Sequence, residues 1–322
     1  MCTCPNYMVW NGQYTNNDKP KLTFIGHHQF NDMIKQRFPY VQVPCGVCLE
    51  CRIQHARSWA DRCVLEAKKH SHNYFVTLTY DDEHLPAKNS LCPDDMTLFI
   101  KRLRKHFEPH KIRFLYSGEY GDTSWRPHYH ILLFGCPLDD LSYNFKLMEN
   151  GKLVNHLRPP KASSSLMFSE TIYKLWQYKG MISVGEFNYD SAAYVSQYVT
   201  KKCNPNNEKL YKELGIVPEF IRMSRRPGIG ADYFEDHLDM HEIGNIIVPG
   251  DGQAHVSSVP RYFDKLFIKK YGEDVFEPIQ RRRVKKRFQN IDTFVHSGTN
   301  KDHDNEIRNY NLTKRKRERN SL

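Results

Sequence analysis

The segment from Arg126 to Gly135, RPHYHILLFG, constrains the fold of this 322-residue chain more than any other. Its apolar run is typical of a buried β-strand, and successive side chains of a strand lie on opposite faces. On that spacing His128 and His130 share one face, whereas Tyr129 and Leu133 lie on the other. Two imidazoles on one face can bind a single metal ion. The alternative is a strand with two half-exposed histidines, since His-x-His is a short motif.

The balance of charge favours a polyanionic partner. Lysine and arginine number 47 against 37 aspartates and glutamates, a formal net charge of +10, and nucleic acid is the foremost partner of so basic a chain. No apolar run reaches the length of a membrane span and the N-terminus lacks a secretory signal pattern, so we expect a soluble, cytosolic protein. The nine cysteines are an odd number, which favours thiolate ligands in a reducing compartment over a disulfide framework.

Three of the cysteines are clustered at metal-ligand spacing. Cys45 and Cys48 form a Cys-x-x-Cys pair, and Cys51 follows three residues later. Tetrahedral zinc takes four ligands, and Cys2 or Cys4 could supply the fourth from the N-terminus. We therefore predict a structural zinc that anchors the N-terminal segment. The alternative is a set of free or redox-active thiols, although a redox site usually needs a single Cys-x-x-Cys pair.

Hydrophobic periodicity and turn residues divide much of the chain into strands and helices. The predicted order is a helix over 52–70, a strand over 73–80, a helix over 93–107, a strand over 111–119, the histidine strand, a helix over 169–178, a strand over 180–187 and a helix over 190–202 capped by Asp190 or Ser191. Residues 136–167 are polar and turn-rich and are predicted to be an insertion. This order favours an α+β fold of ferredoxin-like type, with a mostly antiparallel central sheet backed by helices.

Three regions follow from this order. Residues 1–70 are predicted to form an N-terminal extension with the cysteine cluster, residues 71–235 the central domain, and residues 236–322 a C-terminal extension with a basic tail. The tail contains basic runs at 281–287 and 314–319. Such runs attract DNA independently of its sequence and in a salt-sensitive manner.

A basic loop with the sequence MSRRPGIG is predicted over 223–230. Arg222, Arg225 and Arg226 could bind phosphates there, while the glycines would allow the backbone to approach a ligand closely. The alternative is a turn with solvated arginines.

The predicted helix over 190–202 carries the second chemically informative pattern. Tyr194 and Tyr198 are four residues apart, so their hydroxyls lie on one helix face, and Lys201 falls on the same face. Paired helical tyrosines are usually core or interface residues. A tyrosine hydroxyl, with an ordinary pKa of about 10, becomes a nucleophile when a neighbouring cation or base favours the phenolate. It then needs an electrophile that a Lewis-acidic metal has activated.

The histidine pair could hold that metal, and Glu119 at the end of the preceding strand could add a carboxylate. Two imidazoles and one carboxylate, with positions left for phosphate oxygens, suit Mg²⁺ or Mn²⁺. Glu186 or another histidine is an alternative third ligand. The chemistry that these residues suit is attack by tyrosine on a DNA phosphodiester.

Three motifs in this order resemble those of the His-hydrophobic-His (HUH) endonucleases, the initiators of rolling-circle replication. They are FVTLT at 75–79, Glu119 with His128-Tyr129-His130, and the pattern of Tyr194, Tyr198 and Lys201. The double tyrosine is similar to that of the initiators of microviruses, the small single-stranded DNA phages. The cysteine cluster and the MSRRPGIG loop resemble the gokushovirus branch, so the resemblance covers roughly residues 1–235. Tyr129, at the central hydrophobic position, is a mild departure.

The resemblance implies an HUH endonuclease fold and a role for each site residue. The glutamate and the two histidines would hold the divalent metal at the scissile phosphate. Tyr198 or Tyr194 would cleave the origin strand and remain joined to its 5′ phosphate, and the second tyrosine would later act to close a circle. Lys201 would stabilise phenolate or phosphate charge.

The same resemblance implies that the substrate is single-stranded DNA at a replication origin, in the host cytoplasm. The sequence contains no Walker phosphate loop, so a host helicase and the host replication machinery would be the partners that separate and copy the strands. Two alternatives remain. One is a plasmid initiator, relaxase or transposase with the same chemistry, and the other is a non-catalytic zinc-containing protein that binds nucleic acid.

Overall fold

The computed structural model describes residues 2–14, 20–121, 124–156, 165–201, 205–250 and 253–283. The strands are β1 (Asn6–Tyr14), β2 (Pro20–Ile25), β3 (Tyr40–Val43), β4 (Asn73–Thr79), β5 (Arg113–Tyr120), β6 (Pro127–Phe134), β7 (Leu141–Ser142), β8 (Phe145–Glu149), β9 (Lys152–His156), β10 (Phe168–Ser169), β11 (Ile182–Glu186), β12 (Phe220–Met223), β13 (Asn245–Val248) and β14 (His255–Ser258). The helices are α1 (Asp32–Arg37), α2 (Leu49–Ala67), α3 (Pro93–His106), α4 (Glu170–Leu175), α5 (Tyr189–Lys201), α6 (Pro205–Leu214), α7 (Ala231–Asp236), α8 (Met240–Ile243) and α9 (Arg261–Tyr271), and residues 273–283 are also helical and are called α10. Within these described ranges, no helix has both the length and the apolar character that a membrane span requires.

A five-stranded antiparallel sheet lies at the centre of the fold, in the order β11-β4-β6-β5-β12. The histidine strand β6 is the middle strand and pairs with β4 on one side and β5 on the other. The β-branched and aromatic residues of β4 and the apolar run of β6 favour this extended conformation. The prediction of a mostly antiparallel sheet backed by helices is confirmed.

Helices α3 and α4 pack on one face of this sheet, called the α3 face below. α3 begins at Pro93 and has Asp94 and Asp95 in its first turn, where acidic side chains interact favourably with the helix dipole. Phe99 of α3 and Trp176, which follows α4, share one buried core with apolar side chains of the sheet.

Helices α2 and α5 lie against each other on the opposite face, called the α5 face below. Cys63 of α2 and Val195 of α5 form a second core with Leu115 and Leu132 of the sheet. Elements α7 to α10 and strand β13 complete this core, for example through Phe263. Described residues of the predicted N-terminal and C-terminal extensions therefore pack in one layer on the sheet, and the three-region division stays a prediction.

The N-terminal residues form a separate three-stranded antiparallel sheet, in the order β2-β1-β3. The predicted insertion contains the hairpin of β8 and β9 and the short pair of β7 and β10. The basic run at 314–319 and the second half of the run at 281–287 lie outside the described residues, so their contact with DNA stays a prediction.

Two helix beginnings differ from prediction. α2 begins at Leu49 rather than at residue 52, so Cys51 lies in its first turn. α5 is capped by Asn188 rather than by Asp190 or Ser191, because Asn188 Oδ1 accepts a hydrogen bond from the backbone N–H of Ser191 at 2.7 Å. Asparagine, aspartate and serine are about equally good N-caps, so residue type alone did not distinguish these positions.

Candidate active site and metal groups

The register of the central sheet brings three predicted metal ligands together. Glu119 on β5 is directly opposite His128 on β6, and His130 lies two residues further along the same face. The Nε2 atom of His128 lies 3.0 Å from Oε1 of Glu119, and that of His130 lies 2.5 Å from the same oxygen. The ligand atoms of all three residues lie within 4.8 Å of one another. We call these three residues the Glu-His-His group.

Neighbouring groups hold both imidazole rings with Nε2 towards Glu119. The Nδ1 atom of His128 lies 3.1 Å from the carbonyl oxygen of Arg126, and that of His130 lies 3.0 Å from Oγ1 of Thr77. Because a carbonyl oxygen only accepts, His128 donates its Nδ1 proton to Arg126. Nε2 of a neutral His128 then carries a lone pair that faces a carboxylate. A proton or a metal ion must lie between these two acceptors, and this donor set fits a divalent metal.

Glu119 is a buried, charged carboxylate. It is 3% exposed. Burial raises the pKa of its carboxyl group, but the charge of protonated His130 and hydrogen bonds from both histidines lower it below the ordinary value. A buried carboxylate that keeps its charge needs a cationic partner, which is what a metal ligand has.

Both predicted tyrosines reach the Glu-His-His group from α5. The hydroxyl of Tyr194 lies 3.4 Å from Oε1 of Glu119 and 3.4 Å from Nε2 of His130. The hydroxyl of Tyr198 donates a hydrogen bond to that of Tyr194 at 3.1 Å. Val195 provides a buried core contact of the same helix, so the packing of α5 does not depend on the tyrosines alone.

Tyr198 lies deeper than its neighbour, with 6% of its surface exposed. Burial raises the pKa of its hydroxyl, and the negative charge of Glu119 raises that pKa further. The hydroxyl is therefore neutral at ordinary pH in the metal-free site. Neutralising the charge of Glu119 would lower this pKa and favour the phenolate.

Lys201 and the alternative ligand Glu186 differ in what the structure says of them. α5 ends at Lys201, but the side chain of this residue lies outside the described structure, and its role stays a prediction. Glu186 pairs in register with Tyr74 of β4, which packs against the core on the α3 face. Glu186 therefore lies on the face opposite the histidines.

The arginines that were predicted to bind phosphate are not beside the Glu-His-His group. Arg222 of β12 lies on the α3 face. Arg225 and Arg226 are exposed, and the loop that carries them contacts Arg113 at the beginning of β5. Arg113 and Glu119 are six residues apart on this strand, which corresponds to about 20 Å.

Sequence reasoning missed the residues that orient His130. Thr77 is opposite His130 in the register of β4 and β6, and the ring of Phe75 stacks on the His130 ring with 5.3 Å between centroids. The alternation in FVTLT places Phe75 and Thr77 on one face. It could not reveal which strand would lie beside them.

Tyr129, the departure from the central hydrophobic position, has its hydroxyl fully engaged. That hydroxyl accepts a hydrogen bond from the backbone N–H of Cys92 at 2.8 Å and donates to the Cys92 carbonyl at 3.0 Å. It also lies 3.2 Å from the hydroxyl of Tyr80. Cys92 is the N-cap residue of α3, so Tyr129 fixes the beginning of this helix against the sheet.

A second candidate metal group is formed by four cysteines, with Cys2 rather than Cys4 as the fourth member. The sulfurs of Cys2, Cys45, Cys48 and Cys51 lie within 4.8 Å of one another. Two of the separations are 3.6 and 3.9 Å, close to the roughly 3.8 Å between ligands of tetrahedral zinc with bonds of about 2.3 Å. They are much longer than a disulfide bond. Cys4 is exposed and lies outside the group.

The backbone around this four-cysteine group favours thiolates. The N–H of Cys45 donates to the sulfur of Cys2 at 3.4 Å, and that of Cys48 donates to the sulfur of Cys45 at 3.3 Å. Gly46 has a φ of 80°, a left-handed conformation that favours glycine. Burial raises the pKa of the Cys48 thiol, but hydrogen bonds from backbone N–H groups, that of Cys51 foremost, outweigh burial and bring the pKa to about 6.

Comparison with known proteins bears on the same residues. The family model for the replication-associated protein ORF2 matches residues 73–203. The replication-associated protein ORF2 of Spiroplasma virus 4 is 36% identical over 264 residues, which are 79% of this chain and 77% of that protein. This chain belongs to the microvirus family of replication-associated proteins.

Two further members of this family are similar along most of the chain. Replication-associated protein VP4 of Bdellovibrio phage phiMH2K is 32% identical over 242 residues, 73% of this chain and 70% of that protein. Replication-associated protein ORF4 of Chlamydia phage 1 is 30% identical over 258 residues, 77% of this chain and 58% of that protein. No solved structure matches the chain. The predicted resemblance to the microvirus proteins is confirmed.

Proposed function

We propose that this replication-associated protein is an HUH endonuclease that nicks and rejoins single-stranded DNA at the viral origin in a metal-dependent, site-specific reaction. The observation that carries this proposal is the contact of Tyr194, and through it Tyr198, with the Glu-His-His group. A tyrosine beside a metal-binding group combines the nucleophile and the Lewis acid that phosphodiester transfer needs. The antiparallel sheet with the histidines on its middle strand supports the HUH fold.

The donor set supports Mg²⁺ or Mn²⁺ as the cofactor. Glu119, His128 and His130 would hold the ion, because the Nε2 lone pair of neutral His128 and the carboxylate of Glu119 face each other at 3.0 Å. When bound, the ion would polarise the scissile phosphate and stabilise the charge that develops on it. Two nitrogen donors and one oxygen donor leave positions for phosphate oxygens.

The cleavage step exchanges one phosphorus–oxygen bond for another. The phenolic oxygen of Tyr194 or Tyr198 attacks phosphorus, the bond to the 3′ oxygen breaks, and that oxygen leaves with a proton as a free hydroxyl. Glu119 Oε1, 3.4 Å from the Tyr194 hydroxyl, is an acceptor within reach of the phenolic proton. The hydrogen bond that Tyr198 donates to Tyr194 would stabilise a Tyr194 phenolate, and Lys201 would add positive charge. The product is a 5′-phosphotyrosine.

Two tyrosines one helical turn apart allow the strand to be rejoined without release of the DNA. After one round of synthesis, the second tyrosine would attack the regenerated junction. The released 3′ hydroxyl would then displace the first tyrosine from its phosphate and close a circle. Each step conserves the number of phosphorus–oxygen bonds, so no further reactant is required.

We also propose that the four-cysteine group holds a structural zinc ion. The tetrahedral sulfur separations and the N–H···S hydrogen bonds support this assignment. Cys2 lies near the N-terminus, whereas Cys51 lies in the first turn of α2. The ion would therefore fasten the N-terminal sheet to α2.

In this proposal the protein acts in the host cytoplasm, with a host helicase and the host replication machinery as partners. Membership of the microvirus family favours a phage initiator over a plasmid initiator, relaxase or transposase. A non-catalytic zinc-containing protein is the remaining alternative. It would bind DNA and never become covalently joined to it.

The test is incubation of the protein with labelled single-stranded origin DNA and Mg²⁺ or Mn²⁺, followed by a denaturing gel. We expect a protein–DNA band that EDTA abolishes and that the Tyr194→Phe/Tyr198→Phe double variant does not form. Tyr271→Phe, which removes a hydroxyl on α9, is the matched control and should form the band. DNA that is retarded on a native gel but gives no covalent band with either metal would favour the non-catalytic alternative.

A further inference from the structure

Two buried arginines hold the backbone of the MSRRPGIG loop from inside the protein. Arg113 donates hydrogen bonds to the carbonyl oxygens of Pro227 and Gly228, both at 2.9 Å. Arg62 donates two hydrogen bonds to the carbonyl oxygen of Ile229, at 3.1 and 2.9 Å. These guanidinium groups use their several donors on main-chain acceptors, so they fix the path of the loop rather than its side chains.

Two further side chains hold the N–H groups of the same loop. Glu66 forms an ion pair with Arg113 and accepts a hydrogen bond from the N–H of Gly230 at 2.6 Å. The hydroxyl of Tyr262 accepts one from the N–H of Gly228 at 2.8 Å. The loop is therefore held through both its donors and its acceptors.

Burial makes this an unusual way to hold a surface loop. Glu66, Arg113 and Arg62 are 0%, 2% and 8% exposed, and the Arg62 guanidinium lies 4.1 Å from the ring centroids of both Trp59 and Tyr262. Apolar residues of similar volume often give as much stability as a buried ion pair. What the charged network adds is a fixed geometry for the loop.

The loop presents cations on its outer side. Arg225 and Arg226 are exposed, and no carboxylate in the described parts of the chain forms an ion pair with either of them or with Arg222. Unpaired exposed arginines can bind phosphate without first breaking another ion pair, and their planar fork matches phosphate oxygens.

The cationic surface continues from the loop onto the edge of the sheet. The Arg222 guanidinium lies over the Phe220 ring at 5.2 Å, and the Arg104 guanidinium lies over the Phe114 ring at 5.2 Å. Phe114 is joined to the beginning of the loop, because its carbonyl oxygen accepts the N–H of Ser224 at 2.9 Å. We call Arg104, Arg222, Arg225 and Arg226 the arginine edge.

We propose that the arginine edge is a second DNA-binding surface, which holds the phosphate backbone of the substrate beyond the nick site. The buried pair of Glu66 and Arg113 is its positioning device. This inference rests on the proposed function in taking DNA as the substrate. The loop lies about 20 Å from the Glu-His-His group along β5, a span of about six nucleotides at the duplex rise. Cleavage at the tyrosines and grip at the edge are therefore separable.

The first experiment compares Arg225→Ala/Arg226→Ala with the wild-type protein on two origin oligonucleotides, one with about four nucleotides on each side of the nick and one with about fifteen. Affinity for the long oligonucleotide should fall about tenfold or more, and the slope of log K against log salt should decrease by about 1.4 for a single-stranded flank or about 1.8 for a duplex flank. Covalent adduct formation on the short oligonucleotide should not change. Comparing a single-stranded with a hairpin flank identifies which form the edge holds.

Lys152→Ala/Lys174→Ala is the matched control, because it removes two exposed cations from β9 and α4. It should leave both the affinity and the salt slope for the long oligonucleotide unchanged. An equal loss in both double variants, or equal losses on short and long oligonucleotides, would overturn the assignment of the edge. Failure of the wild-type protein to form any adduct would instead count against the proposed nicking activity and leave the binding comparison valid.

The positioning role is tested with Glu66→Gln, alone and combined with Arg225→Ala/Arg226→Ala. Glu66→Gln should weaken binding to the long oligonucleotide and spare adduct formation on the short one. It should cause no further loss in the combined variant, because the arginines that it positions are already absent. Additive losses would contradict a positioning role. Tyr262→Phe, which removes only the hydroxyl that holds Gly228, gives the same comparison if Glu66→Gln does not fold.

Discussion

The hydroxyl of Tyr194 lies 3.4 Å from Oε1 of Glu119, and this contact joins α5 to the sheet strands that carry the candidate metal ligands. The same oxygen of Glu119 lies within 3.0 Å of Nε2 of both histidines. One carboxylate therefore serves as a ligand and as the neighbour of the nucleophile. Changes to Glu119 should affect metal binding and tyrosine chemistry together.

Glu119→Gln tests the metal group. The substitution keeps the size of the side chain but removes its charge, so we expect Mn²⁺ affinity, measured by titration calorimetry, to fall by at least about 10-fold to 100-fold. Adduct formation should fall with it. Glu186→Gln, on the opposite face of the sheet, is the matched control and should bind Mn²⁺ as the wild type does. Unchanged affinity in Glu119→Gln would remove Glu119 from the ligand set.

The two tyrosines should differ in the first cleavage. Tyr194 contacts Glu119 and His130 directly, so Tyr194→Phe should slow single-turnover adduct formation by at least about 10³-fold. Tyr198→Phe removes a hydrogen bond to the Tyr194 oxygen and should slow it by only about tenfold. A larger effect of Tyr198→Phe would show that the deeper tyrosine attacks first.

The four-cysteine group makes a prediction that separates two neighbouring residues. Cys2→Ser should reduce bound zinc, measured by elemental analysis of the purified protein, because it removes one of four ligands. Cys4→Ser should retain one zinc per chain, since Cys4 lies outside the group. The melting temperature of Cys2→Ser should fall, because structural zinc contributes directly to folding. Zinc loss in both variants, or in neither, would contradict this ligand set.

The pKa of Cys48 predicts the pH dependence of thiol alkylation in the metal-free protein. A thiol whose pKa is lowered to about 6 is mostly thiolate above that pH, and only the thiolate reacts. Alkylation of Cys48 by iodoacetamide should therefore be level above about pH 7 and decrease as pH falls through about 6. Burial raises the pKa of Cys51 to about 12, so Cys51 should react far more slowly. Mass spectrometry of peptides after brief labelling distinguishes the two, and a Cys48 rate still rising above pH 8 would contradict the lowered pKa.

The alternation along β6 was enough to predict the shared face of His128 and His130, because a strand has a side-chain period of two. The partner of that pair depended on register. Glu119 lies opposite His128 only because the strands on either side of residues 121–126 pair in this register, and no local pattern specifies such a register. The same limitation hid Thr77, whose strand is separated from β6 by α3 and β5.

Other features depended on the path of the chain in three dimensions. Cys2 and Cys4 are chemically equivalent in sequence, and only the course of the N-terminal segment distinguishes them. Arg222 was grouped with Arg225 and Arg226 by proximity in sequence, although β12 places it on the α3 face. The residues after 236 were uninformative because their strands and helices are too short for a periodic pattern, yet Ile246 and Phe263 are buried.

Tyr129→Phe tests how the histidine strand is joined to α3. The substitution leaves the N–H of Cys92 without its hydrogen bond, and an unpaired buried donor costs about 1–3 kcal/mol. Urea unfolding should show a loss of this size in the free energy of unfolding. Mn²⁺ affinity should stay unchanged, because Tyr129 lies on the face opposite the Glu-His-His group. An unaltered free energy of unfolding would mean that water replaces the hydroxyl.

The most direct measurement is mass spectrometry of the protein after reaction with origin DNA and Mn²⁺, nuclease trimming and trypsin digestion. A covalent tyrosine mechanism predicts a peptide from α5 that carries a 5′-phosphorylated nucleotide on Tyr194 or Tyr198. The modified peptide should be absent when EDTA is added and when Glu119→Gln replaces the wild type. Bound DNA with no modified peptide, or modification of a residue outside α5, would contradict the mechanism proposed for this family member.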